Sequence, residues 1–386
     1  MKIAFLCGSL EPGRDGVGDY TRRLAGELNR RGHPVMAVAL NDPYVSESVF
    51  EIQQSEITTV PTLRLPSVSS WNQRINDARH RLDDFQPDWL SIQFVTFGYH
   101  RKGLCAGLGA KFAAMNSKAA WHVMFHELWL GLGEQAPLKH RVMGALQRVF
   151  IQAMIRRLRP QVVHTQTEPY RQVLCRVNIP ATVLPLISNV PCVQGDGWAG
   201  LLEPLLADSA GIRPDRAKLY LAGIFGSVHP EWNVEQAVNL LIPLVRQAKK
   251  RLVLVFLGRN NLNSESFVRL KSLLRDRAEI ISTGEKSVNE ISRILQSLDV
   301  GLATTPRRAI QKSGSAAAML EHGLPVLVTR DDWRLRGIET KPEETSSRLI
   351  FPEQFAGLNV LPVREPVAAG NGRLKGVADQ LLARLQ

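Results

Sequence analysis

Cysteine is scarce in this chain of 386 residues. Cys7, Cys105, Cys175 and Cys192 are scattered, with no paired spacing suited to zinc or to a redox dithiol, and they read as thiols of a reducing cytoplasm. Aromatic residues make up only 6% and do not interleave with the basic side chains. With no zinc-finger or RNA-binding signature either, nucleic acid is disfavoured as a partner. No apolar run approaches the roughly 18 residues needed to span a bilayer. The amino terminus enters an apolar strand at once, which leaves no room for a cleavable leader. These absences point to a cytoplasmic protein, at most peripheral at the inner face of a membrane. Short-period repeats and low-complexity segments are missing too.

What is present begins with charge. Lys and Arg number 48 against 36 Asp and Glu, a formal net charge of +12 that favours a phosphate-bearing partner or an anionic surface. At roughly 100–200 residues per domain, the length predicts two domains. Short apolar runs at Ile3–Cys7, Pro34–Leu40, Trp89–Phe94, Ala120–Phe125 and Val162–Thr165 alternate with helical patterns, as in a parallel sheet covered on both faces. After a Gly- and Asp-rich loop at Val193–Trp198 the alternation restarts, with runs at Leu219–Ile224, Leu252–Leu257, Glu279–Ser282, Val300–Thr304 and Pro325–Val328. The expected class is α/β, with two doubly wound Rossmann-like domains over residues 1–195 and 196–366 facing a cleft. A closing helix over residues 367–386, apolar at Leu374, Val377, Leu381, Leu382 and Leu385, is expected to pack back on the junction.

The stretch FLCGSLEPGRDGVGDYTRRLAGELNRRGHPV, from Phe5 to Val35, reads as strand, glycine-containing loop and helix. Gly16, Val17 and Gly18 stand where a helix start offers unpaired N–H groups and the positive dipole end, so their backbone suits a phosphate. The helix is expected to bury Leu24, Ala25 and Leu28, to leave Arg22, Arg23, Arg30 and Arg31 largely outside, and to stop at Gly32. A dinucleotide fingerprint is disfavoured, because the loop from Cys7 to Gly16 is too long for its tight turn and position 21 is Thr.

DGVGDYTRRLAGELNRRGHPV resembles the amino-terminal signature of retaining glycosyltransferases of family four. QPDWLSIQF, WHVMFHELW, VVHTQTEPYRQVL, TVLPLISNVP, LAGIFGSVHPEWNVEQAV and KSGSAAAMLEHGLPVLVT follow in the family's order. The resemblance covers roughly Met1 to Val328 and implies the GT-B architecture, a nucleotide-sugar donor held mainly by the second domain and an acceptor held mainly by the first. It also implies transfer with retention and no bound metal or other cofactor. A glycan, a lipid-linked compound or a small molecule would serve as acceptor.

Residue by residue, the resemblance makes His126 a contact to a donor-sugar hydroxyl and Gly226 and Ser227 the loop beneath the diphosphate. His122 and His126 are not a metal pair, since on a strand they sit about 13 Å apart. Where the family carries a basic pair, this chain has Ser227, His229, Glu231 and Trp232, and its paired glutamates are replaced by Ile310 and Ala318. Lys312 is the candidate replacement cation, with Ser313, Gly314 and Ser315 contacting phosphate or sugar and Glu321 a displaced carboxylate. Gly284 and Glu285 match the base-contacting loop, and Arg259 is positioned to reach phosphate or base. The missing side chains also admit a second reading, a catalytically degenerate GT-B protein that binds a nucleotide, a glycan or a partner enzyme.

LKHRVMGALQRVFIQAMIRRLRP reads as a basic amphipathic helix, apolar at Val142, Leu146, Val149, Phe150, Met154 and Leu158. Such a face fits either a core with a solvated cationic rim or an anionic lipid surface.

Overall fold

Eight strands form the first sheet: β1 (Ile3–Cys7), β2 (Val35–Asp42), β3 (Val49–Ser55), β4 (Thr58–Pro66), β5 (Trp89–Phe94), β6 (Ala120–Phe125), β7 (Val162–Thr165) and β8 (Thr182–Val183). Their order is β3-β4-β2-β1-β5-β6-β7-β8, and only β3 runs antiparallel to its neighbour. Helices α1 (Gly16–Arg30), α2 (Trp71–Phe85), α3 (Leu108–Met115), α4 (Leu138–Leu158) and α5 (Glu168–Arg176) connect them. After α6 (Glu203–Ala210), a second sheet contains β9 (Leu219–Phe225), β10 (Arg251–Leu257), β11 (Glu279–Ser282), β12 (Val300–Ala303), β13 (Val326–Val328) and β14 (Leu349–Ile350). Its order is β11-β10-β9-β12-β13-β14, parallel throughout. Helices α7 (Val234–Gln247), α8 (Glu265–Leu274), α9 (Val288–Ser297), α10 (Gly314–Glu321), α11 (Pro352–Phe355) and α12 (Gly372–Leu385) complete the chain. This computed structural model describes residues 1–56, 58–115, 118–210, 214–229, 231–258, 265–339, 346–366 and 372–386.

The chain divides into a unit of Met1–Asn189, Arg334–Thr340 and Gly372–Gln386 and a unit of Val190–Trp333 and Lys341–Asn371. The sequence pattern puts the first break after residue 195; the contacts put it at Asn189. Each unit is an α/β layer structure of the Rossmann type. Strands β1 and β9 are buried along nearly their whole length, which is why they read as unbroken apolar runs and not as alternating ones.

In the first unit α12 packs on α1. Its Leu374, Val377, Leu381, Leu382 and Leu385 are buried, Arg31 pairs with Asp379, and Arg373 Nε donates to the Leu186 carbonyl at 2.7 Å. Strands β3 and β4 lie over α1, and this corrects the expectation that Arg22 and Arg23 point outward. Both are buried: Arg22 Nε donates to Gln53 Oε1 at 2.7 Å and its Nη2 to the Leu10 carbonyl at 2.7 Å, while Arg23 Nε meets Glu56 Oε1 at 2.6 Å. A guanidinium can be buried when its fork of donors is matched by acceptors, and β3 supplies one.

Strand order reverses direction between β1 and β5, so the connections leaving those two strands part at the carboxyl edge. Gly8, next after β1, lies against Gly98 there; a Cβ on Gly8 would stand 2.6 Å from the Gly98 carbonyl oxygen. Backbone on backbone has no rotamer to yield. Gly8→Ala is expected to lower the stability of the first unit by about 1–3 kcal/mol, read as a lower urea midpoint. An unchanged midpoint would show that the two loops separate freely.

Candidate functional site

Each sheet presents its carboxyl edge, and the residues singled out by sequence fall largely on those edges. In the first unit α1 begins where expected, but its first amides are already occupied. Asp15 caps the helix, and its Oδ1 accepts from Val17 N and from Gly18 N, both at 2.8 Å. A carboxylate thus holds two of the donors expected to face phosphate. Burial pushes the Asp15 carboxyl up and the two amide bonds pull it down. The Gly16 carbonyl accepts from Asn189 Nδ2 at 3.0 Å. Gly18 has no room for a side chain, since a Cβ would come within 2.6 Å of the Ser9 carbonyl oxygen.

His126 follows β6 and is buried, within a hydrogen-bonded chain that crosses three neighbouring strands. Gln166 Nε2 donates to His126 Nδ1 at 2.7 Å, and His126 Nε2 donates to Gln93 Oε1 at 2.8 Å. Gln93 Nε2 donates to Ser91 Oγ at 2.8 Å; Ser91 Oγ lies 2.8 Å from His122 Nδ1, whose Nε2 lies 3.0 Å from His164 Nδ1. Pairing of Ser91 with His122 and of Met124 with His164 sets the register that brings these side chains to one face. The Tyr20 ring, from the second turn of α1, meets the His126 ring edge-on at a centroid distance of 4.8 Å. The Tyr20 hydroxyl is buried without a hydrogen-bond partner among the described residues. Burial holds His126 down to about 3, His164 to about 4 and His122 well below its ordinary value, so all three imidazoles are neutral.

In the second unit three adjacent strands end in glycines with left-handed backbone: Gly226 (φ 84°) after β9, Gly258 (φ 114°) after β10 and Gly284 (φ 66°), two residues past β11. Gly226 N donates to the Leu257 carbonyl at 3.1 Å and Gly258 N to the Gly284 carbonyl at 3.3 Å, so the three turns form one floor without side chains. Beside it α10 begins. Ser313 caps α10, accepting from Ala316 N at 3.3 Å, and its Oγ lies 3.1 Å from Ser315 Oγ and 3.1 Å from Thr305 Oγ1. A Cβ on Gly226 would stand 3.8 Å from Ser315 Cβ, and the Ser227 carbonyl accepts from Thr304 Oγ1 at 3.2 Å. Lys312 immediately precedes the cap. The fold therefore brings Gly226, Ser227, Lys312, Ser313, Gly314 and Ser315 to the point where strand order reverses between β9 and β12, with Gly284 and exposed Glu285 at the neighbouring turn. Glu321 is not brought there; it ends α10, six residues and about 9 Å past Ser315. Arg259 lies outside the described residues.

Residues 15–190 match the family model of the glycosyl transferase 4-like domain. That match falls almost wholly within the first unit, which is similar to such a domain. No curated protein matches the sequence. Among solved structures the chain is similar to trehalose-6-phosphate from E. coli bound with UDP-2-fluoro glucose, at 11% identity and TM-score 0.53, covering 100% of this chain and 96% of that one. It is similar too to the catalytic domain of starch synthase IV from Arabidopsis thaliana bound to ADP and acarbose, at 12% identity and TM-score 0.52, covering 100% and 92%. UDP-GlcNAc 2-epimerase from Methanocaldococcus jannaschii matches at 12% identity and TM-score 0.50, covering 99% and 100%. At such identities these likenesses give the fold, which is GT-B.

Sequence reasoning singled out His126 in the first unit but not Ser91, Gln93, His164 or Gln166. The available signal was Ser91 and Gln93 at alternate positions of the otherwise apolar β5, and the polar run His164 to Thr167 at and just past the end of β7. It also missed Arg330, which follows β13 with its side chain only 6% exposed. Arg330 Nη2 donates to Glu231 and to Asp332, each at 2.8 Å, and Nη1 to the Thr304 carbonyl at 3.3 Å. The positions that the resemblance matches to glutamates, Ile310 and Ala318, lie in the hydrophobic core of the second unit.

Two outcomes are expected in the first unit. Unfolded, each histidine titrates near 6.5; folded, His126 and His164 take protons only near 3 and 4. Stability from these two residues is therefore fully present well above pH 6.5 and falls as the pH drops through the unfolded value, by about 4 kcal/mol at pH 5 from the two together. Urea unfolding across that interval reads it, and a flat profile would place the histidines in water. Tyr20→Phe removes a buried hydroxyl that lacks a partner, so it should raise stability by about 1 kcal/mol; a loss of that size would mean the hydroxyl is hydrogen-bonded in solution.

Proposed function

We propose that the protein is a glycosyltransferase that moves a sugar from a nucleoside diphosphate to an acceptor, with retention at the anomeric carbon. The observation that carries this reading is the floor of Gly226, Gly258 and Gly284 beside the amino terminus of α10. The left-handed glycines would let a ligand come close to the backbone there, and the first amides of α10 would face an anion. Loss of the nucleoside diphosphate builds negative charge on the leaving phosphate, and donors arranged in advance at that place stabilise it. In this reading the α10 amides, the hydroxyls of Ser313 and Ser315 and the Lys312 ammonium supply that stabilisation without a metal or other cofactor. His126, neutral, offers a donor and an acceptor to a sugar hydroxyl once it exchanges one of its glutamine partners.

A second reading has its own observation. Ile310 and Ala318 are packed in apolar surroundings, so neither position offers a hydroxyl acceptor. A protein that binds the nucleotide, a glycan or a partner enzyme without transferring sugar fits that feature.

Calorimetric titration with UDP, GDP and ADP, followed by release of the diphosphate from the matching sugar nucleotides, separates the two. Transfer predicts binding of one nucleotide and its release; binding without release across a broad acceptor panel supports the second reading, and no binding of any sinks transfer and leaves only a glycan- or partner-binding form of the second reading. Lys312→Ala is expected to weaken nucleoside diphosphate about tenfold and to leave the nucleoside unchanged, as loss of one charge-assisted contact implies. His126→Ala should lower transfer about 100-fold while nucleotide affinity is kept; equal turnover would remove His126 from the reaction.

A further inference from the structure

Helix α4 has two faces that the sequence does not separate. Gly144, Gln147, Ile151, Met154 and Leu158 are buried against the first unit. Leu138, Val142, Leu146 and Val149 are 71%, 57%, 47% and 50% exposed. At about 100° per residue these four fall in one arc about 80° wide, on the side away from the buried residues. Of the six apolar positions that make the sequence look singly amphipathic, Met154 and Leu158 serve the core, whereas Val142, Leu146 and Val149 face solvent.

The surroundings of that stripe are cationic. Lys139, Arg141, Arg148, Arg156, Arg157 and Arg159 are all exposed, and none has an ion-pair partner among the described residues. By the same helical spacing Arg141, Arg148 and Arg159 flank the stripe on one side, Lys139 and Arg157 on the other, and Arg156 extends its line. No acidic residue occurs from Gln135 to Thr167. The wider segment from Trp89 to Thr167 holds ten Lys or Arg against Glu127 and Glu134, so it carries eight of the chain's net +12. That segment includes α3, which packs on α4 closely enough that a Cβ on Gly109 would stand 2.8 Å from Met154 Cα.

We propose that the outer face of α4 is a docking surface for an anionic lipid bilayer, with the helix lying in the plane of the interface. An aliphatic stripe between two rows of unpaired cations matches a surface that offers anionic headgroups beside an apolar interior. A nucleic acid would use the cations and leave the stripe in water. A second copy of this face would bring like charges together with no anions between them. Among the described residues no helix is long and apolar enough to cross a membrane, so the contact is peripheral. This surface stands whether or not the protein transfers sugar, since it is read by vesicle binding alone.

The test is flotation of the full chain with vesicles of phosphatidylcholine and with equimolar phosphatidylcholine and phosphatidylglycerol. Variants are V142S/V149S and R148E/R156E, all at exposed positions, with urea midpoints checked against the unsubstituted protein. Binding to the mixed vesicles only, reduced by added salt and lowered about tenfold or more by either pair of substitutions, is the expected result. Equal or absent binding on both vesicles would overturn the proposal. So would variants that bind like the unsubstituted protein, or a solution dimer that V142S/V149S converts to monomer, which would assign the face to a second copy.

Discussion

A polar group removed from water must find a partner, and most of what distinguishes this chain at its two sheet edges follows from that requirement. In the first unit the helix start meets Asp15, so a carboxylate lies where an anionic ligand would also be favoured. The same demand links His126 to His164 through Gln93, Ser91 and His122, each within 3.0 Å of the next. In the second unit it draws Glu231 and Asp332, both largely exposed, onto nearly buried Arg330. Each pairing satisfies its own members. Each also defines what an incoming anion or hydroxyl has to displace.

That competition bears on the chemistry. An anion at α1 exchanges with Asp15, whose burial already disfavours its charge, whereas α10 is capped by a neutral serine and has no carboxylate to expel. On the proposed reading α10 is then the better seat for a diphosphate, and α1 would bind one only by outcompeting a tethered carboxylate. The neutral histidine ladder likewise suits hydroxyl recognition and not charge stabilisation, because protonating any member would place a cation in a buried, uncompensated position.

Much of the fold was legible because parallel strands covered on both faces are written as unbroken apolar runs. β5, β6, β7 and β11 fall at the limits their sequences suggest. The β3–β4 pair was not legible: VFEIQQS mixes polar residues into a partly exposed edge, and Pro61 interrupts TTVPTLRLP. Without that pair nothing in the sequence tells Arg22 and Arg23 from the solvated Arg30. For the candidate site, Gly226, Ser313 and Lys312 could be placed by local pattern, since strand, turn and cap are neighbours in the chain. The partners of His126 could not, because cross-strand register joins residues 33 and 40 positions apart.

The core positions Ile310 and Ala318 constrain what the second unit's edge can offer a sugar. Packed in the apolar cluster behind α10, they cannot turn toward a sugar without leaving a cavity and burying nothing in exchange. On the proposed reading, sugar and ribose hydroxyls would be held by groups at that edge such as the hydroxyls of Thr304, Thr305, Ser313 and Ser315 and the backbone of the three glycine turns. These are neutral partners, individually weaker than a carboxylate. A site built from them gains its selectivity from shape and from the number of simultaneous contacts, so the glycine floor and the serine cap act as one unit, and loosening either loosens the grip of both.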